Sequence, residues 1–232
     1  IDESLANAIR RSALEIPILA IDEVEFHKND SALYDEVLAL RLGLVPLVNE
    51  KLELAEKCSC KGKGCSKCSI QMKLSAKGPC TVYSKDLKGR ADVVYGDIPI
   101  DILIEGQELE LVASAKLGKG TSHAKFSPGL VYYRNVAEIE VDKNCDKCED
   151  CVKACPKNVL KLEKGKIDVA DLYNCDLCEA CVEACRKHGK MAIKINPDKK
   201  LIFFIESFGQ LKAGEVFTGA VKALKENLKD LK

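Results

Sequence analysis

The chain has 232 residues, of which 36 are Lys or Arg and 36 are Asp or Glu, so its formal net charge is zero. A balanced chain has no global field to draw it to DNA or to an anionic membrane, and its longest apolar stretches, such as Leu201–Ile205, are far too short to span a bilayer. The length allows a real core and two or three domains, while thirteen cysteines, an odd count in metal-type spacings, argue for a reducing, cytoplasmic setting rather than a disulfide framework.

No N-terminal run combines a basic flank, an apolar stretch and a small-residue cleavage site. Leu5, Ala6, Ile9, Ala13 and Leu14 recur at helical spacing, with Ser4 available as a cap, Arg10 and Arg11 side by side on the helix, and Pro17 to end it. Ile18–Phe26 reads as a strand. A second helix is predicted from a Ser31 cap through Leu42, with Gly43 as its stop. Neither an initiating Met nor a strand precedes the first helix, which predicts that residues are missing ahead of Ile1.

Cys58 and Cys60, a glycine–lysine loop, then Cys65 and Cys68 follow. Four thiolates on a short loop can close a tetrahedral zinc site, although a C-x-C pair is tighter than C-x-x-C and a surface loop of free thiols has the same spacing. Cys80 stands alone and is expected to be a buried small apolar residue. From Ile70 to about Val141 short strands are predicted at 70–74, 82–84, 98–105, 108–117 and 130–133, making a small β-rich domain. The connector Leu117–Pro128 lacks the G-x-x-x-x-G-K-[ST] order of a phosphate loop, and its His123 is expected to be structural.

Two near-identical runs come next: Cys145, Cys148, Cys151 and Cys155, then Cys175, Cys178, Cys181 and Cys185. Both have the form C-x-x-C-x-x-C-x-x-x-C, which resembles a ferredoxin holding two [4Fe–4S] clusters. Three thiolates at two-residue intervals wrap one corner of a cube, and the fourth reaches the neighbouring cluster. That logic assigns Cys145, Cys148, Cys151 and Cys185 to one cluster and Cys175, Cys178, Cys181 and Cys155 to the other. Pro156 follows the ferredoxin pattern and Arg186 departs from it. Zinc bound in pairs, or disulfides, are the competing uses of eight such cysteines. Lys143, Lys147, Lys153, Lys157 and Lys161 would offset cluster charge or simply form a solvated face. Strand-like pieces at 159–162, 167–169 and 191–195 follow the runs, so the segment reads as an internal duplication.

After a strand at 201–206, Val216, Phe217, Ala220, Val221, Leu224, Leu228 and Leu231 form an apolar stripe on a closing helix. Such a stripe packs either on the chain's own core or on a partner helix.

Taken together, Asn7–Arg11, Ile16–Val24, Tyr34–Pro46, Gly96–Pro99, Gly118–Pro128 and Phe204–Ser207 resemble the D subunit of archaeal RNA polymerase. That family corresponds to the third-largest subunit of eukaryotic RNA polymerase II and to the N-terminal region of the bacterial alpha subunit. The resemblance implies an α+β fold: an alpha-type dimerisation domain (1–48 with 200–232), an inserted β-rich domain (49–141) and a ferredoxin-like double-cluster domain (142–199). It implies a non-catalytic assembly platform that pairs with subunit L, then recruits subunits N and P and the large catalytic subunits. Arg10, Arg11, Phe217, Val221, Leu224 and Leu228 become the expected partner contacts, and DNA is met only within the assembled enzyme. It also implies two [4Fe–4S] clusters and a Zn2+ at Cys58, Cys60, Cys65 and Cys68, although the gap between those pairs looks slightly longer than in the eukaryotic relative. The chief rival is a ferredoxin-type electron carrier or oxidoreductase subunit, which accounts for the clusters and leaves the other segments unexplained; a zinc-dependent interaction module without iron is a third reading.

Overall fold

The computed structural model describes residues 1–48, 54, 58, 60, 65–187, 189 and 191–229. The linker between Cys60 and Cys65, and Leu231 of the predicted stripe, lie outside the described residues. The chain forms two compact units, Ala8–Val131 with Ile205–Lys232, and Ile1–Asn7 with Tyr132–Phe204.

Helix α1 (Glu3–Ser12) follows Asp2, whose carboxylate accepts the Leu5 N–H at 2.8 Å. The cap is therefore Asp2, not Ser4: a carboxylate one residue before the helix reaches the third free N–H, and it suits the positive end of the dipole. A 3-10 turn, Ala13–Glu15, carries the chain to Pro17.

Strand β1 (Ile18–Asn29) runs three residues past the predicted end. Its first four residues are buried, then exposure alternates, as expected of a strand entering a core and leaving along a half-covered face. Helix α2 (Asp35–Gly43) has Tyr34 as its cap and so starts three residues later than predicted. Ser31 is used in a tight turn instead, its Oγ accepting the Leu33 N–H at 3.2 Å. Asn29 donates from Nδ2 to Leu33 O and to Asp35 Oδ1, which fixes where the helix begins. Gly43 is the last helical residue rather than a left-handed stop: the Leu44 N–H closes onto the Leu40 and Arg41 carbonyls, and Pro46 follows.

Strands β2 (Leu47–Val48), β3 (Ser69–Lys77), β4 (Cys80–Tyr83), β5 (Lys88–Gly89), β6 (Asp92–Val93), β7 (Pro99–Leu103) and β8 (Glu108–Gly118) build the β-rich part. The main sheet has the order β1-β8-β3-β5, antiparallel throughout, and β2 with β6 and β4 with β7 form two small pairs. Alternation puts Ile70, Met72 and Leu74 of β3 and Leu109, Leu111, Ala113 and Ala115 of β8 on one buried face. Leu38 and Leu42 of α2, one turn apart, complete this core. Cys80 is half-buried, with its Sγ directed at Lys77 O, which corrects the expectation of full burial. His123 accepts the Lys125 N–H at 3.1 Å through Nδ1 and so caps the 3-10 turn Ala124–Phe126.

Strand β9 (Gly129–Val141) is far longer than the predicted 130–133. In the second unit it is followed by α3 (Asp150–Ala154), the hairpin of β10 (Leu160–Glu163) and β11 (Lys166–Val169), and α4 (Ala180–Lys187). Strand β12 (Ile193–Ser207) fuses the two pieces predicted at 191–195 and 201–206 and pairs with β9. Along this ribbon Tyr133 packs on Phe203, ring centroids 5.7 Å apart. Gly129 is required by the pairing, because a Cβ there would sit 2.2 Å from Glu206 O.

Helix α5 (Ala213–Lys229) returns to the first unit. Val216 and Ala220 are buried, and Gly219 lies so close to Ile16 that a Cβ would meet its Cδ1 at 3.0 Å. The rest of the stripe stays open: Phe217, Val221 and Leu224 are half-buried, and Leu228 is 54% exposed.

Candidate metal centres

Cys58, Cys60, Cys65 and Cys68 converge, all four sulfurs lying within 4.8 Å of one another. Cys58 and Cys65 are 3.5 Å apart, Cys60 and Cys68 3.6 Å, and Cys65 and Cys68 3.8 Å. Four sulfurs each about 2.3 Å from a tetrahedral ion sit about 3.8 Å from one another, so the spacing fits one zinc-sized cation. The Lys67 N–H, with the Cys58 sulfur, pulls the Cys65 thiol below its ordinary value. The Cys65 N–H also lowers Cys68, but desolvation and the surrounding sulfurs outweigh it and push Cys68 up to about 11. Thiols this crowded become thiolates together only with a cation between them. Among the described residues no other three His, Cys, Asp or Glu ligand atoms gather this tightly.

The two cysteine runs have a different geometry, repeated at an interval of thirty residues. In the first, Lys147 and Glu149 have left-handed φ of 63° and 64°; in the second, Leu177 and Glu179 have 60° and 59°. These residues flank the second cysteine of each run. None is glycine, so each carries a backbone cost of about 1–3 kcal/mol that the surroundings must offset. Left-handed turns of this kind gather backbone N–H groups into a concavity for an anion, the arrangement found around iron–sulfur groups. The fourth cysteines correspond as well: Cys155 Sγ accepts the Val159 N–H at 3.3 Å, and Cys185 Sγ accepts the Ala192 N–H at 3.4 Å.

Cys155 of the first run lines a single pocket with Cys175, Cys178 and Cys181 of the second, beside Ile139 and Ile195. Burial pushes Cys151 up to about 11, with Cys145 and Cys148 adding to the shift, and it also raises Cys175 and Cys181. Cys148 and Cys178 are exposed. The buried sulfurs pack among apolar side chains, Cys151 and Cys181 with Leu160, Ile167 and Ile193, and Cys175 with Ala137 and Val159. Such sites disfavour free thiolates and suit sulfur whose charge is matched by metal.

The expected partner contacts lie in the first unit, apart from the cysteine runs. Arg11 is exposed and lines one surface pocket with Leu14, Thr121 and Leu224, so the first and last helices share a face. Arg10 is half-buried. The left-handed residues and the N–H donors to Cys155 and Cys185 escape sequence reading, because no glycine marks them; the repeat is the signal that points to them.

Residues 24–142 match the RNA polymerase Rpb3/RpoA insert domain, and residues 134–191 match the 4Fe-4S dicluster domain. The chain is 40% identical to DNA-directed RNA polymerase subunit Rpo3 of Archaeoglobus fulgidus, covering 98% of this chain and 88% of the relative. The subunit Rpo3 of Methanothermobacter thermautotrophicus is 45% identical over 95% of this chain and 86% of its own length. That of Pyrococcus furiosus is 40% identical, with 95% and 84% covered. An insert domain followed by a dicluster domain, and similarity extending over nearly the whole length, lead to one assignment: the chain belongs to the Rpo3 family, the D subunits of archaeal DNA-directed RNA polymerase.

Proposed function

We propose that this protein is a non-catalytic, cytoplasmic assembly platform. It pairs with the small subunit L and then recruits subunits N and P and the large catalytic subunits, meeting DNA only inside that enzyme. The observation that carries the reading is the division of α5: Val216 and Ala220 are used within the chain, while the adjacent seam of Phe217, Val221, Leu224 and Leu228 remains partly open. A seam at i, i+4, i+7 and i+11 on one helix is the form in which a helix meets a partner. Arg10 and Arg11 serve as contacts to a large subunit. The dimerisation part is 1–48 with 200–232, the insert 49–141 and the cluster domain 142–199. Among the described residues no helix is long and apolar enough to cross a membrane.

Two [4Fe–4S] clusters, on Cys145, Cys148, Cys151 and Cys185 and on Cys155, Cys175, Cys178 and Cys181, are supported by the repeated left-handed turns and by the shared pocket. Zinc at Cys58, Cys60, Cys65 and Cys68 is supported by sulfur spacings of 3.5–3.8 Å. Their role is structural: metal–thiolate bonds hold segments that have little core of their own.

The test is an anaerobic pull-down from native lysate. The outcome in favour is recovery of a small partner and the large polymerase subunits, with about eight iron per chain and one zinc; Leu224→Asp should release the small partner. Recovery of a redox enzyme instead would favour the electron-carrier reading, for which the exposed Cys148 and Cys178 speak because they bring a cluster near solvent.

A further inference from the structure

The approach to the second cysteine run is held differently from the approach to the first. A 3-10 turn, Leu172–Asn174, delivers the chain to Cys175. Arg134 on β9 donates from Nη2 to Tyr173 O at 2.6 Å, and its guanidinium lies 4.8 Å from the centroid of the Phe204 ring. Phe204 is stacked in turn on Tyr132, centroids 4.7 Å apart and planes 9° apart. Arg134 Nε is buried without an acceptor among the described residues. A dry guanidinium N–H is unfavourable, so the group stays there because the ring stack and the Tyr173 carbonyl hold it. Asn174 adds a second tie, donating from Nδ2 to Lys157 O at 3.1 Å, two residues past Cys155. One turn is thus fastened to the strand ribbon and to the segment that follows Cys155.

The repeat supplies an internal control. Asn144 occupies the position matching Asn174, and both are exposed; the Asn144 backbone N–H turns onto Asp142 Oδ1 at 2.8 Å, and the first approach is tied through backbone alone, the Asp142 N–H donating to Ala192 O at 2.7 Å. Cys145 is half-buried where Cys175 is buried. Lys147 is exposed where Leu177 packs against the cluster of Cys175, Ala137 and Val159. The left-handed turns recur in both runs and each fourth cysteine accepts one backbone N–H, so among the described residues it is the side-chain ties of Arg134 and Asn174 and the apolar cover of Leu177 that distinguish the second site.

We propose that Arg134 and Asn174 are positioning residues that clamp the site of Cys155, Cys175, Cys178 and Cys181. That site then releases its iron more slowly than the site of Cys145, Cys148, Cys151 and Cys185. The inference rests on the two-cluster reading above and adds an order of stability to it.

The experiment uses the full chain, purified anaerobically, with excess ferrous chelator under dithionite. Iron release is followed by absorbance, and the remaining cluster by electron paramagnetic resonance. Two phases of about four iron each are expected, with rates separated by about tenfold or more, the scale of one charge-assisted hydrogen bond. Cys148→Ser should leave only the slow phase and Cys178→Ser only the fast one. Arg134→Ala should accelerate the slow phase alone, and Asn174→Ala, at an exposed side chain, should do so with less risk to folding. A single phase in the unaltered chain overturns the clamp, as does equal acceleration of both phases in both variants. Absence of iron and sulfide from the anaerobic protein overturns the two-cluster reading itself, and the clamp with it.

Discussion

The two cysteine-bearing regions use one functional group at two spacings. In the Cys58–Cys68 loop, sulfurs touch at 3.5–3.8 Å. In the runs from Cys145 to Cys185, among the described residues, no three ligand atoms close to that degree; four sulfurs instead surround a pocket walled by Ile139 and Ile195. A single ion needs its ligands in mutual contact, whereas a cube carries each thiolate on a different iron and keeps them apart. The backbone differs correspondingly, with paired left-handed residues in the runs that prepare N–H groups for an anionic core. Ligand spacing, set by local backbone, is therefore a statement about how many metal ions a thiol site is built for.

The largest expected effect comes from removing the third cysteine of each run, buried in both. Cys151→Ser with Cys181→Ser should strip most of the iron and abolish amide protection over 142–195 in hydrogen exchange, while the sheet of the other unit stays protected. Loss of protection in both units would mean that the two do not stand independently. Next, Leu42→Ala empties a fully buried position in the apolar core of the β-rich unit and should cost about 2–5 kcal/mol in denaturant unfolding monitored on residues 8–131, with iron content unchanged. Cys68→Ser follows: zinc should fall from one per chain to near zero with iron unaffected, as measured by elemental analysis. If iron fell together with zinc, the two regions would not be separate sites.

The smallest effect concerns charge in the unit that lacks the two cysteine runs. Glu108 on β8 meets Lys77 of β3 at 2.8 Å and Lys28 of β1 at 2.9 Å, joining the ends of three neighbouring strands. Those two ammonium groups hold its carboxyl down at about 2, against an ordinary value of 4.5. Because the folded value is the lower one, the contribution is fully present above pH 4.5 and is lost as pH falls through about 2. Glu108→Gln should lower Tm slightly at pH 7, less so in high salt, and progressively less as pH falls through about 2. A difference that did not shrink over that fall would point to packing rather than charge.

Much of the fold was legible because periodicity survives folding: Ile70, Met72 and Leu74 alternate in sequence and alternate in burial. Element ends were less legible. The cap of α2 moved from Ser31 to Tyr34 because Asn29 bonds to Leu33 and Asp35, and β9 outran its prediction because its pairing with β12 adds partners that no local window contains. The eight cysteines of the runs stood out by spacing alone, whereas Arg134 sits thirty-nine residues from Tyr173 and had no local signal.

By itself the sequence determined which side chains can bind metal, the thirty-residue repeat that carries them and the apolar stripe of the last helix, since each is a pattern of residue types along the chain. Tertiary structure alone decided that the stripe on α5 divides into a buried pair and a partly open seam, and that Arg134 reaches the Tyr173 carbonyl ahead of the second cysteine run. Those outcomes depend on distances between residues far apart in the chain, and only packing brings such residues within reach of a hydrogen bond or a shared ion.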